Sequence, residues 1–307
     1  MRMVSRTRLV AGIVLSVAIA LTQLVCQSQT DTASEPSGPV VDSVASVDGV
    51  MIQYEMAGVG NPALVFVHGW SCDRSYWKQQ IEEFSKTNKV VAIDMGGHGG
   101  SGLNREDWTV SAFGADVAAV VDALGLDSVI LIGHSMAGGV NIEAARLLPD
   151  RVIALIGADT YQDVETTYTP EQVAGFVAPF KADFAATMDG FVRGMFPPTA
   201  DSALVDRIAA DMASAPPEVA VSAFENYISG NTMEMLEHIS VPIRAVNADI
   251  WPTNIEANRK YMESFEVKII PGCGHFVMQE KPAEFNRLLR ETVGELTGRT
   301  APVESES

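Results

Sequence analysis

The fold is decided by residues 129–139, VILIGHSMAGG. The first four residues are apolar and three of them are β-branched, which is typical of a buried strand. A tight turn centred on Ser135 follows, and residues 140–148 then carry helical spacing. A serine held between a buried strand and a helix is the arrangement called a nucleophile elbow, and so tight a turn requires small residues two before and two after the serine. Gly133 and Ala137 meet that requirement, although glycine is usual at the second position, and an ordinary Gly-Ser turn is the alternative.

Strand and helix patterns alternate on either side of this stretch. Asp48-Gly49 is a hairpin signal that joins two antiparallel strands, predicted at residues 44–47 and 51–56. Because continuous apolar strands then alternate with helices, the sequence predicts an α/β fold with a doubly wound, mostly parallel sheet flanked by helices. The predicted strands lie at residues 63–67, 89–94, 129–132, 152–158, 242–247 and 267–270, and the predicted helices at residues 76–84, 109–124, 140–148, 253–265 and 282–296.

The strand pattern is interrupted once, between residues 159 and 240, which predicts a small helical cap inserted after the sixth strand. The α/β core is therefore assigned to residues 44–158 and 241–297, with a disordered tail at 298–307. Large apolar residues recur in the cap at helical spacing, and they either pack its own core or form an apolar wall that faces a substrate. They are Phe176, Phe180, Phe184, Met188, Phe191, Met195 and Phe196.

The charge balance of the chain is strongly acidic. It has 21 basic and 39 acidic residues, a formal net charge of −18. Proteins that bind nucleic acid present a basic face to the phosphates, so a nucleic-acid partner is not expected. The apolar content of 47% is sufficient for a hydrophobic core, and no stretch after the N-terminal segment is long and apolar enough to span a membrane.

The N-terminal segment has the pattern of an export signal. Three arginines precede an apolar run at residues 9–21, which predicts a signal peptide over residues 1–26 and a periplasmic or extracellular location. Cys26 indicates a possible lipoprotein, tethered to a membrane, although the two residues before it are larger than such a site normally has. Ala-Ile-Ala at residues 18–20 offers an ordinary signal-peptidase site instead. A flexible linker is predicted at residues 27–43 because they are rich in Ser, Thr, Pro and Gly.

Four short motifs occur in a fixed order along the chain. They are HGW at residues 68–70, DMGGHGGS at 94–101, GHSM at 133–136 and GHF at 274–276, each after a predicted strand. Each motif is weak by itself, but in this order they are specific. Over about residues 44–296 the chain resembles the α/β-hydrolase fold superfamily, in particular its serine esterase and lipase-like members.

The resemblance implies a role for each of four residues. Ser135 would be the nucleophile, and His275 the base that takes its proton, since a serine hydroxyl is a poor nucleophile until a base assists it. The oxyanion hole would consist of the backbone N–H groups of Trp70 and Met136. The remaining histidines of the motifs are expected to support their loops.

The acid that orients the histidine is the point at which the sequence departs from the family pattern. Members usually carry this acid as the last residue of a Gly-x-x-Asp motif after the seventh strand. This chain has Trp251 at that position. Asp249 is close to that position, and a shortened loop would bring it into place, so we favour Asp249. The alternative is Asp159, directly after the sixth strand, where some members of the fold carry their acid.

Two further cysteines, Cys72 and Cys273, fall in loops at the carboxyl edge of the predicted sheet, where this architecture binds ligands. In an exported protein two such thiols can form a disulfide, which would tie the oxyanion loop to the histidine loop. Two separately packed thiols are the alternative.

The resemblance implies a serine hydrolase that cleaves carboxylic esters or lactones through an acyl-enzyme with a Ser-His-Asp triad, and its expected partner is a small apolar ester or lactone substrate. It implies no metal and no organic cofactor. Other chemistries of the fold, namely C–C hydrolase, amidase and cofactor-free perhydrolase activity, stay open, as does a non-catalytic ligand-binding protein. Dehalogenase and epoxide hydrolase chemistry is disfavoured because those members use Asp where this chain has Ser135.

Overall fold

A mixed eight-stranded sheet forms the centre of the computed structural model, which describes residues 38–298. The strand order is β1-β2-β4-β3-β5-β6-β7-β8; β1 and β2 are antiparallel to their neighbours, and β3 to β8 run parallel. The predicted α/β fold class is therefore confirmed. The strands are β1 (Val40–Ala45), β2 (Met51–Ala57), β3 (Ala63–Val67), β4 (Val90–Ile93), β5 (Val129–His134), β6 (Val152–Ala158), β7 (Ile243–Ala248) and β8 (Glu266–Ile270).

Helices cover both faces of the parallel part of the sheet. Every residue of β3 and β5 is buried, which requires cover on the two faces to which successive side chains point. Helix α1 packs with α11, and α2 packs with α3. The helices are α1 (Lys78–Phe84), α2 (Val110–Ala123), α3 (Ala137–Leu147), α4 (Pro170–Ala182), α5 (Phe184–Arg193), α6 (Ser202–Ala213), α7 (Pro217–Ile228), α8 (Thr232–Leu236), α9 (Ile255–Tyr261), α10 (Val277–Glu280) and α11 (Pro282–Thr297).

The predicted hairpin forms, but its first strand begins earlier than the sequence suggested. Residues 40–45 pair in antiparallel register with β2, from Val40 opposite Met56 to Ala45 opposite Met51. The linker predicted at residues 27–43 therefore ends before Val40. Four of the six residues of this strand are exposed, and its two polar residues, Asp42 and Ser43, are consecutive, so its pairing with β2, and not its hydrophobicity, fixes where it starts.

Five helices, α4 to α8, lie between β6 and β7, in the segment predicted to be helical. We call residues 159–240 the insertion. Several of its aromatic side chains pack around Trp70, whose indole Nε1–H donates to the Ala220 carbonyl oxygen at 2.7 Å. The Trp70 ring stacks on Phe224 at 4.6 Å between centroids and meets Phe180 edge-on at 5.2 Å. These contacts join the insertion to the loop that follows β3.

The predicted signal peptide, most of the linker and residues 299–307 lie outside the described residues. Helix α11 ends at Thr297, and Gly298 adopts a left-handed conformation with φ of 65° that closes it. Across residues 38–298, no helix combines the length and hydrophobicity needed to cross a bilayer.

Candidate active site

Ser135 occupies a sharp turn between β5 and α3. Its φ is 55°, a left-handed conformation that non-glycine residues rarely adopt. Backbone hydrogen bonds hold it there: the Ser135 N–H donates to the Ala158 carbonyl at 3.2 Å, and the Gly138 N–H donates to the Ser135 carbonyl at 2.9 Å. The turn is the predicted nucleophile elbow, since it places the serine side chain at the carboxyl edge of the sheet beside a helix N-terminus.

The tightness of this turn explains its small residues. A Cβ atom on Gly133 would lie 2.6 Å from both the Ala137 carbonyl oxygen and the Asn141 Nδ2 atom. A Cβ atom on Gly69, in the loop after β3, would lie 2.7 Å from His134 Nδ1 and 3.3 Å from Ser135 Cβ. Glycine at these two positions therefore lets the loop after β3 approach the serine closely.

His275 lies in the loop between β8 and α10, and four backbone contacts fix that loop. The His275 N–H donates to the Met195 carbonyl at 3.0 Å, and the His275 carbonyl accepts from His134 Nε2 at 3.0 Å. On either side, the Gly274 and Phe276 N–H groups donate to the Glu280 carboxylate at 2.9 and 3.1 Å. Glu280 was not identified from the sequence, because a helix-terminal Glu has no pattern that marks this role.

Asp159 is the carboxylate that contacts the histidine. Its Oδ2 atom lies 2.5 Å from His275 Nδ1, and its Oδ1 atom accepts the Ala248 N–H at 2.8 Å. The residue directly follows β6 with a left-handed φ of 47° and is 1% exposed. Both oxygens are thus engaged, so the carboxylate has a fixed direction towards the imidazole.

The expectation that Asp249 orients His275 is wrong, because Asp249 bonds a different part of the loop. Asp249 is exposed and its Oδ1 atom accepts the N–H groups of Gly272 at 2.8 Å and Cys273 at 3.5 Å, in the turn before the histidine. The hydrogen bond from Gly272 is the main reason that the pKa of Asp249 lies below its ordinary value. The position at which the family usually carries its acid holds Trp251, whose ring meets the His275 ring at 5.2 Å.

Asn247 fixes the segment that carries Asp159. Its Oδ1 atom accepts the Thr160 N–H at 3.2 Å, and its Nδ2 donates to the Thr160 carbonyl at 3.0 Å. Asn247 lies near the end of β7, next to β6 in the sheet, and it is fully buried. Its only sequence signal is an amide at the end of an apolar strand, which is too common to predict such a role.

The backbone N–H groups of Trp70 and Met136 are free to act as oxyanion donors. Within residues 38–298, neither donates to a protein acceptor. Met136 precedes the first residue of α3, so its N–H also lies at the positive end of that helix. Gly69 brings the Trp70 loop against the elbow, as its close approach to Ser135 Cβ shows.

Three other buried histidines support loops, as expected. His68 bonds the Gly69 carbonyl through Nδ1 and accepts the Met95 N–H at Nε2; burial lowers its pKa to about 4. Burial lowers the pKa of His98 to about 3, and that of His134 well below its usual value. These three side chains are therefore neutral around pH 7.

Ser135 and His275 line the same small cavity, of about 20 Å³. Two methionines of the insertion, Met195 and Met212, close it, and Cys72 forms part of its wall. The remaining lining residues are Trp70, His134 and Phe276. The insertion thus contributes an apolar wall at the serine, although Phe184 and Met188 are not in it and are buried in the core.

The two loop cysteines are not joined. Cys72 and Cys273 are both buried free thiols. Burial raises the pKa of Cys72 well above its ordinary value and that of Cys273 to about 12, so neither is a thiolate at neutral pH. The structure agrees with two separately packed thiols. In the described part of the chain, no three His, Cys, Asp or Glu side chains are grouped as a metal site would require.

Comparisons of sequence and of structure relate the chain to known proteins. A structure described as Est816, an N-acyl homoserine lactone degrading enzyme, is 27% identical, with a TM-score of 0.71 over 81% of this chain and 99% of that one. The karrikin insensitive 2 receptor CA of Petunia hybrida is 22% identical over 204 residues, 63% of this chain and 76% of the receptor.

A further relative is the dihydrolipoyllysine-residue acetyltransferase component of the acetoin cleaving system of Cupriavidus necator, which is 31% identical over 155 residues, 50% of this chain. That match covers 40% of the relative, so the chain spans less than half the length of the curated relatives first matched. The sequence model of the alpha/beta hydrolase family matches residues 64–288, which include the elbow, Asp159 and His275. The chain belongs to the alpha/beta hydrolase family.

Proposed function

We propose that this hydrolase cleaves carboxylic esters or lactones with a triad of Ser135, His275 and Asp159. The observation that carries the proposal is the hydrogen bond of 2.5 Å between Asp159 Oδ2 and His275 Nδ1, in a site where the histidine shares a cavity with the serine of a strained elbow. An imidazole held at Nδ1 in this way presents Nε2 as the base.

In the first half-reaction, Ser135 Oγ attacks the ester or lactone carbonyl while His275 Nε2 accepts its proton. Asp159 stabilises the imidazolium that results and keeps the ring in the required tautomer. The carbonyl oxygen becomes an oxyanion, which the N–H groups of Trp70 and Met136 stabilise. His275 then returns the proton to the leaving alcohol, the C–O bond breaks, and the acyl group stays on Ser135.

In the second half-reaction, water replaces the alcohol. His275 removes a proton from water as it attacks the acyl-enzyme, and the same two N–H groups stabilise the second oxyanion. The acid is released when His275 returns the proton to Ser135 Oγ. A lactone follows the same steps, except that its alcohol and acid are one product.

An apolar substrate is supported by the residues that close the cavity. Trp70, Met195, Met212 and Phe276 offer thioether and aromatic surfaces, which accommodate hydrocarbon chains of varied shape. A cavity of about 20 Å³ holds roughly one water molecule, so an ester extends beyond it from the partly exposed Ser135. The structure matched at 27% identity is described as degrading N-acyl homoserine lactones, which makes that class part of the test.

The experiment is a panel of p-nitrophenyl esters and N-acyl homoserine lactones, assayed with the wild type and with Ser135→Ala. We expect hydrolysis of at least one class by the wild type and its loss in Ser135→Ala, with an unchanged circular dichroism spectrum. An active Ser135→Ala variant would overturn the assignment of the nucleophile.

A second candidate is a ligand-binding protein on the same fold, which the similarity to a Petunia hybrida receptor favours. The intact contact between Asp159 and His275 favours the enzyme. A receptor would bind a panel compound without multiple turnovers, and steady-state product release separates the two.

We also propose export, on the sequence pattern alone. The expected product is a mature chain that starts at lipid-modified Cys26, or one cleaved after Ala20. Mass spectrometry of the N-terminus distinguishes the two, and Cys26→Ser should release the first form from membranes and leave the second unchanged. An unprocessed chain that starts at Met1 would contradict export.

A further inference from the structure

Every backbone N–H group of residues 272–276, the loop around His275, has an acceptor. The first two N–H groups donate to Asp249, and the fourth, that of His275, donates to the Met195 carbonyl oxygen. The third and the fifth donate to the carboxylate of Glu280. Two acids and one carbonyl group of the insertion therefore determine the path of this loop.

Glu280 uses one carboxylate oxygen for each neighbour of the histidine. Its Oε2 atom accepts the Gly274 N–H at 2.9 Å, and its Oε1 atom accepts the Phe276 N–H at 3.1 Å. These donors belong to the residues directly before and after His275. An ionised carboxylate, which only accepts, fits this arrangement better than a protonated one, which must also donate.

The packing around Gly274 leaves no room for this loop to shift. A Cβ atom on Gly274 would lie 2.5 Å from the Met195 carbonyl oxygen and 2.9 Å from Glu280 Oε1. The loop thus touches the insertion and Glu280 at the same residue. A displaced Glu280 side chain would therefore displace the backbone next to His275.

The charge of the half-buried Glu280 side chain also acts on the histidine. Burial raises the pKa of Glu280, whereas the N–H groups of Gly274 and Phe276 and the positive charge of His275 lower it. An interaction between two charges is mutual, so the ionised Glu280 favours the protonated form of His275. That form develops when the histidine takes a proton from Ser135.

Other ionisable groups lie close to the loop without contacting the N–H groups on either side of the histidine. They are the carboxylates of Asp159 and Asp249, the neutral ring of His134, the protonated thiol of Cys273 and the ammonium group of Lys281. Asp159 bonds the imidazole itself at Nδ1, and Lys281 donates to the Pro271 carbonyl oxygen. Within residues 38–298, Glu280 is thus the acid that holds the backbone on both sides of His275.

We propose that Glu280 is a positioning residue for His275, acting through the two N–H groups that it accepts, and that its charge stabilises the imidazolium formed when Ser135 attacks. The inference rests on the proposed function, because it takes His275 as the base. Asp159 acts on the ring and Glu280 on the backbone that carries the ring, so two acids with separate tasks serve one histidine.

Glu280→Gln tests the proposal because it keeps the size of the side chain. The amide has one acceptor oxygen, so one of the two N–H groups loses its acceptor, and the charge is removed. We expect fluorophosphonate labelling of Ser135 at pH 7 to slow by about ten- to a hundredfold, as for a catalytic group misplaced by about 1 Å. We also expect the acid limb of the labelling rate to move to lower pH, by about one pH unit, because the imidazolium has lost a favourable charge.

Glu284→Gln is the matched control. Glu284 lies four residues further on, in the first turn of α11, and in the described part of the chain its carboxylate has no hydrogen-bond or ion-pair partner. We expect this variant to keep the wild-type rate and pH profile. An equal change in Glu284→Gln would show a long-range charge effect and overturn the inference. So would a Glu280→Gln variant that loses only stability to urea and keeps the wild-type labelling rate and acid limb.

Nuclear magnetic resonance keeps this inference separate from the proposed function. The His275 Cε1–H resonance, assigned with His275→Gln, reports protonation of the ring in Ser135→Ala, which needs no turnover. We expect its titration midpoint to fall when Glu280→Gln is added to Ser135→Ala. An unchanged midpoint overturns the inference even if the wild type is labelled at Ser135. A lower midpoint in a protein whose wild type is not labelled retains the action of Glu280 on His275 and removes the proposed function.

Discussion

At the scale of single residues, the site depends on side-chain directions that sequence distance does not reveal. Asp159 and Asp249 follow neighbouring strands β6 and β7, so both reach the same edge of the sheet. The left-handed turn at Asp159 directs its carboxylate to His275, whereas Asp249 is used by the turn at Gly272. One carboxylate orients the imidazole ring and the other holds the loop that carries it.

The tight turn at Ser135 predicts that one added methyl group at Gly133 lowers stability. Gly133→Ala would place Cβ 2.6 Å from backbone at Ala137, and rigid backbone cannot move away cheaply. We expect a loss of about 1–3 kcal/mol in the free energy of unfolding, as for other overpacked positions. Urea denaturation measures it.

The matched control for that substitution is Gly139→Ala, in α3. The nearest atom to its Cβ would be Val110 Cγ1 at 3.4 Å, an ordinary contact, and alanine is the better helix former by about 1 kcal/mol. We expect unchanged or greater stability. Equal destabilisation by both substitutions would show that the turn is not as tight as described.

At the scale of elements, the insertion supplies both a core of its own and a wall of the cavity that Ser135 and His275 line. The sequence alone left these two roles open for its Phe and Met residues, because helical spacing shows that a face is apolar but not what covers it. The structure separates them: Met188 is fully buried within the insertion, and Met212 contacts the cavity of Ser135.

Met212→Ala and Met188→Ala therefore have different expected effects. Both remove a buried side chain and should cost about 2–5 kcal/mol of stability. Only Met212→Ala should raise kcat/KM for longer acyl chains relative to p-nitrophenyl acetate, since it enlarges the cavity. Acyl-chain profiles of the two variants check this, and the same profile in both would place the acyl group elsewhere.

At the scale of the whole molecule, three buried neutral histidines make stability depend on pH. His68, His98 and His134 are held neutral by burial, whereas in the unfolded chain they bind protons near the ordinary pKa of 6.5. Below that pH the unfolded state binds more protons, so acid favours unfolding. At pH 5 each histidine costs about 2 kcal/mol.

We expect the urea midpoint to fall between pH 7 and pH 5, and His98→Asn to remove roughly a third of that fall, one of three contributions. His238→Asn serves as the control because His238 is exposed. A midpoint that is independent of pH over this range would contradict the burial of the three rings.

The fold could be predicted from the sequence because its signals are local. The buried strand, the turn at Ser135 and the following helix are adjacent in the chain, and the motif order places His275 without knowledge of the packing. The start of β1 and the choice of Asp159 depend on contacts between distant segments, Val40 with Met56 and Asp159 with Ala248 and His275. No local pattern encodes these contacts.

We propose that Asp159, through His275, activates Ser135. The most direct measurement is the rate at which a fluorophosphonate labels Ser135 in the wild type, Asp159→Asn and Asp249→Asn, since it needs no knowledge of the substrate. We predict labelling at Ser135, slowed by about four orders of magnitude in Asp159→Asn through loss of the correct tautomer, and by less than about tenfold in Asp249→Asn. Equal rates in the wild type and Asp159→Asn, or a slower rate in Asp249→Asn than in Asp159→Asn, would contradict the account.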